Sequence, residues 1–133
     1  MHRQNLADYI SRRIVDELRK IGFGERTVSH PGGSTVVYQG HWIDLQDNGK
    51  QIIFLIERGP KFQYLYDGLE KYLQNAHIDS KDSLIVSSRS MSRQGGEVAI
   101  TLNLSKINDK EKIYHAVYRV GMKPIMAALL RIS

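Results

Sequence analysis

"STVVYQGHWIDLQDNGKQIIFLIER", residues 34–58, decides how this chain is read. β-branched and aromatic residues fill the stretch, and Asn48-Gly49 interrupts it. An Asn-Gly pair between two such runs is the strongest short-range hairpin signal, because both residues accept the positive φ of a tight turn. Residues 34–45 therefore read as one strand and residues 50–58 as the next. In the second run Ile52, Phe54 and Ile56 alternate with Ile53 and Leu55, so both faces are apolar. Such a strand belongs in the middle of a sheet.

Leu6, Ile10, Ile14, Leu18 and Ile21 recur every three or four residues upstream of this hairpin, which predicts an amphipathic helix over residues 5–21. Asn5 suits its N-cap, and Gly22 and Gly24 its stop. "ERTVSH" reads as a short strand closed by the turn "PGGS". Downstream, Gly59-Pro60 ends the second hairpin strand, and Phe62, Leu65, Tyr66, Leu69, Tyr72 and Leu73 predict a helix from 61 to about 76. "LIVSS" reads as a strand, "RSMSRQGG" as a turn and "EVAITLNL" as a strand with one wet face. Asn108 and Glu111 approximate a capping box for a last helix over 109–131, which Pro124 should kink or split. The expected order is α-β-β-β-α-β-β-α. That is an α+β fold, one antiparallel or mixed sheet covered by helices in a single domain spanning residues 1–133.

Composition excludes several function classes. The 133 residues include no cysteine, which removes disulfides, thiolate catalysis and cysteine-bound zinc. No apolar run approaches the roughly 18 residues a membrane helix needs. Residues 1–13 lack the apolar core of a secretory signal, and the expected address is cytoplasmic. With 19 Lys+Arg against 14 Asp+Glu the net charge is +5, which favours non-specific contact with polyanions. No acidic residue follows Glu111, leaving Lys112, Arg119, Lys123 and Arg131 unbalanced.

Asp44 and Glu57 sit near the ends of successive strands, the layout of a two-carboxylate magnesium site. In that order, with Glu17 on the first helix, the chain looks like a PD-(D/E)xK nuclease. Gly59 stands where that family carries lysine, and Lys61 lies beyond a proline. The acids are read as polar strand ends, with Asp44, Glu57 and Lys61 as the nuclease alternative. His2, His30, His41, His77 and His115 show no metal-ligand spacing and read as surface or loop histidines. No cofactor is expected. Tyr38 and Trp42 share a face of one strand, with Arg58 following on the next. Together with Arg89 and Arg93 in the serine-rich turn, and Arg119 and Lys123 near the C-terminus, they form the nucleic-acid alternative.

The hairpin around "DNGKQIIFLIE", the helix "FQYLYDGLEKYLQNAH" and the closing "EVAITLNLSKINDKEKIYHAVYRVGMKPIMAALLRI" resemble the class I type III secretion chaperones and related Tir-chaperone-like domains. Members of that group are typically acidic, whereas this chain is basic. The resemblance implies a non-enzymatic homodimer that holds an extended segment of a client protein. Candidate contacts are Tyr38, Trp42, Tyr64, Val98, Ile100 and Leu102. Met122, Met126 and Leu129 exceed one buried helical stripe and join them. The strand 97–104 and the helix around Pro124 are the expected contact elements.

Overall fold

The computed structural model describes residues 3–57, 86–92, 97–103 and 109–132. Helix α1 spans Arg3–Lys20 and buries Leu6, Ile10, Ile14 and Leu18, the stripe expected from their spacing. It ends as glycine dictates. Gly22 takes a φ of 85°, and the amides of Phe23 and Gly22 return to the carbonyls of Leu18 and Arg19 at 2.9 and 3.0 Å. These paired bonds satisfy carbonyls that the helix end would otherwise orphan.

Among the described residues six strands follow: β1 (Gly24–His30), β2 (Gly33–Tyr38), β3 (His41–Asp47), β4 (Gln51–Glu57), β5 (Val86–Ser92) and β6 (Glu97–Asn103). They form one sheet in the order β1-β2-β3-β4-β6-β5, with every neighbouring pair antiparallel. The class is α+β, as the periodicities predict, and the order differs in detail; the helix expected over 61–76 lies outside the described residues. Residues 34–45 are two strands, because Gln39 and Gly40 turn the chain back with φ values of 51° and 78°. Two successive positive φ angles define the two-residue hairpin turn whose twist matches that of the flanking strands.

The Asn48-Gly49 hairpin is present, with Asp47 opposite Ile52. Gly49 carries the positive φ of 88°, while Asn48 Oδ1 accepts from the amides of Lys50 and Gln51 at 3.0 and 2.8 Å. At Pro31-Gly32 the proline fixes one φ and Gly32 supplies the positive one, 81°. Strand β4 is central, as expected. Strand β5 runs through residues assigned above to a turn, so Arg89 lies in a strand opposite Ile100.

One sheet face carries Val36, Tyr38, Ile43, Leu45, Ile52, Phe54, Ile56 and Leu102 into a core shared with the helices. Helix α2 (Lys110–Val117) begins at Asp109, whose side chain accepts from the Glu111 amide at 2.9 Å. The cap therefore falls one residue after the expected Asn108. A wide turn, Tyr118–Met122, separates α2 from α3 (Lys123–Ile132), and the Lys123 amide reaches back five residues to the Tyr118 carbonyl. This widening places Pro124 in a new first turn, where its missing donor has no partner to lose. Gly121 lies against Phe54, and a β-carbon there would stand 3.0 Å from the ring.

Candidate functional site

The opposite sheet face holds polar groups that the strand register brings together. Asp44 on β3 pairs with Thr35 on β2, and Thr35 with Val28 on β1. The Thr35 hydroxyl donates to Asp44 Oδ1 at 3.1 Å, and the Gln46 amide to Oδ2 at 3.1 Å. His30, at the end of β1, reaches the same carboxylate across the intervening strand, with Nε2 2.7 Å from Oδ1. It can do so because its partner on β2 is Gly33, which puts no side chain in the way.

His30 is held from both sides. Its Nδ1 lies 3.0 Å from the Pro31 carbonyl. That carbonyl, and then the hydrogen bond to Asp44, raise the His30 pKa above its ordinary 6.5, while burial opposes them. Both partners of the ring are acceptors, so both nitrogens are satisfied only when both carry protons. A ring engaged this way has no free nitrogen for acid–base catalysis.

The carboxylates of the nuclease alternative lie on adjacent strands, β3 and β4. Asp44 is opposite Leu55, with Oδ1 toward β1 and β2 and Oδ2 toward Gln46 of its own strand, while the register sets Glu57 opposite Glu97. Lys61 lies outside the described residues. Among the described residues no group of three or more histidines and acids is arranged to hold a metal ion.

Among the described residues three large apolar side chains are exposed, Leu130 on α3 at 56% and two on the sheet. Val28 on β1 is 45% exposed and Trp42 on β3 is 49% exposed. By strand alternation both stand on the same face as Asp44. Tyr38 does not share it. The turn at Gln39-Gly40 puts Tyr38 and Trp42 on separate strands, with Tyr38 fully buried on the core face. His41, expected at the surface, is also buried.

No family model, no curated protein and no solved structure matches this chain. The site must be read from its own geometry.

That geometry sorts the contacts expected from the sequence. Trp42 is available at the surface. Leu102, Met122 and Leu129 are fully buried in the core, and Met126 packs partly against it, so the methionines fill the interior. Val98 and Ile100 occupy β6 positions opposite Ile56 and Phe54. Strand β6 lies between β4 and β5, so it offers no free edge for pairing. Among the described residues the edges are β1 and β5. Of the basic set, Lys123 is exposed at the start of α3, Arg119 lies in the wide turn with interactions of its own, and Arg89 is in β5. Arg58, Arg93 and Tyr64 lie outside the described residues.

Sequence reasoning missed His30, which spacing rules leave as a lone histidine. The available signal was "HPGGS": a turn with two glycines beside a histidine leaves the ring room to cross a strand. Gly33 supplies that room, since a β-carbon there would collide with the Leu45 carbonyl oxygen and stand 3.2 Å from the His30 ring.

Proposed function

We propose that the chain is a non-enzymatic protein-binding module that takes up an extended segment of a client by pairing it with β1. The observation that carries this reading is an edge strand whose side chains are mostly exposed, Val28 among them at 45%, with Trp42 at 49% on the same sheet face two strands in. A strand added to a sheet edge gains main-chain hydrogen bonds, and nearby apolar side chains supply selectivity. Tryptophan is the residue most often found to carry such contacts. Isolated edge strands are normally blunted. Here a bulge between Gly24 and Arg26 and the Arg19 side chain on the Glu25 carbonyl at 2.8 Å cover only the start of β1.

The secretion-chaperone resemblance supports the same style of work, including a homodimer. The test is an array of extended peptides probed with the full chain, with binders followed by NMR. Amide shifts concentrated in residues 26–30 and at the Trp42 indole, lost in Trp42→Ala and Val28→Lys, support the reading. Binding that survives both substitutions sinks it. A chain that ignores every peptide yet binds DNA or RNA with a steep salt dependence would favour the basic-surface alternative.

A further inference from the structure

We propose that His30 and Asp44 form a proton-operated clamp that fastens the end of edge strand β1 to β3 when His30 is charged and loosens when the ring is neutral. The clamp is a property of the isolated chain and holds whether or not β1 takes a client.

The geometry is specific. The ring bridges two acceptors, the Pro31 carbonyl at 3.0 Å and Asp44 Oδ1 at 2.7 Å, and neither can donate in return. A neutral imidazole has a single N–H, so its other nitrogen would set a lone pair against an oxygen at contact distance. One of the two bonds must then break. Only the charged ring makes both, and the bond to Asp44 is then charge-assisted at both ends.

The surroundings favour that charge. Asp44 faces the ring from β3 and Asp8 acts on it from α1, where it also accepts from Ser29 at 2.7 Å. The β2 residues Gly33 and Thr35, which lie between, are uncharged, as is Gln46 on β3. Asp44 is itself held by Thr35 and Gln46, so it stays in place to receive the ring.

The loosening would be local. The turn after β1 has a second tie, the Asp47 amide on the Gly32 carbonyl at 2.7 Å, which does not titrate. Loss of the proton therefore costs the His30 ring one of its two bonds and loosens the last residues of β1, while leaving the hairpin joined to the sheet. An edge strand gripped in acid and looser in base is the consequence.

NMR on the full-length chain tests this. The His30 ring nitrogens are followed through a pH titration, with amide-exchange protection measured at each pH and corrected for the intrinsic pH dependence of exchange. The expected titration midpoint lies above 6.5, with both nitrogens protonated below it. Protection in residues 28–30 should fall as pH rises through that midpoint, while Ile43, Leu45 and Phe54 stay unchanged. Asp44→Asn should move the midpoint down. His30→Gln retains a donor but cannot titrate, and should make the protection of residues 28–30 independent of pH. A midpoint at or below 6.5, constant protection in the parent chain, equal losses in the central strands, or the same pH dependence in His30→Gln would each overturn the clamp. If His30→Gln fails to fold, the midpoint and the Asp44→Asn shift still decide.

Discussion

Ser11 and Ser34 are both fully buried, and their hydroxyl oxygens stand 2.7 Å apart where α1 crosses β2. Ser11 spends its proton on the Asp8 carbonyl at 3.0 Å, so Ser34 must donate to Ser11. Removing Ser11 alone would leave the Ser34 hydroxyl buried without an acceptor, a loss of about 1–3 kcal/mol. Ser11→Ala is expected to lower the urea midpoint accordingly. Ser11→Ala with Ser34→Ala should recover part of that loss, because no polar group is then stranded. If the double variant is as unstable as the sum of the singles, the two hydroxyls are not a pair. Gly121 poses the opposite problem. Its missing β-carbon is the space that the Phe54 ring occupies, and Gly121→Ala should cost about 1–3 kcal/mol through overpacking. Neither site was legible in the sequence. A pattern built on apolar letters finds Leu6, Ile10, Ile14 and Leu18 but passes over a buried serine beside them, and a helix glycine looks like a weakness until its neighbour is known.

At the scale of elements, the helix α1 and the alternating strands were legible because each buries one stripe or one face, and that periodicity is written locally. The division of residues 34–45 was not. Asn48-Gly49 announces its turn, whereas Gln39-Gly40 places a long, branchless side chain at a position where few L-residues settle, with φ at 51°. The surrounding strands impose that conformation through the register, Tyr38 opposite His41 and Val37 opposite Trp42. A residue held there is strained relative to asparagine or glycine. Gln39→Asn is therefore expected to stabilise the chain by on the order of 1 kcal/mol, and Gly40→Ala, at φ 78°, to destabilise it by a similar amount. Thermal melts of the two variants check both signs. A Gln39→Asn variant that melts below the parent would show that the strain is relieved by some other means. The same missed turn explains why Tyr38 and Trp42 looked like neighbours on one face: the pleat was counted straight through a reversal.

Across the whole molecule, helices α1 and α2 are joined at a point that no local pattern reveals, between residues 98 positions apart. Arg13 on α1 donates to both Glu111 oxygens at 2.9 and 3.1 Å and to the Tyr9 hydroxyl at 2.6 Å. Its guanidinium also lies 4.0 Å from the centre of the Tyr114 ring. The salt bridge itself is partly exposed and contributes little by itself. The junction leaves a sharper signature on Tyr114. Burial, and next the nearby Glu17 carboxylate, push the Tyr114 phenol up from 10.0 to about 12. The folded chain thus keeps a proton that the unfolded chain gives up, so this contribution to stability is complete below pH 10 and is lost as pH climbs toward about 12. Tyr114→Phe has no proton to lose. Its urea midpoint should fall less steeply than the parent's across the same alkaline window, and the absorbance titration of the folded parent should show one late tyrosinate step that the variant lacks. Parallel curves for the two proteins would mean that the Tyr114 phenol ionises alike in the folded and unfolded chains, and that the α1–α2 junction is open to water.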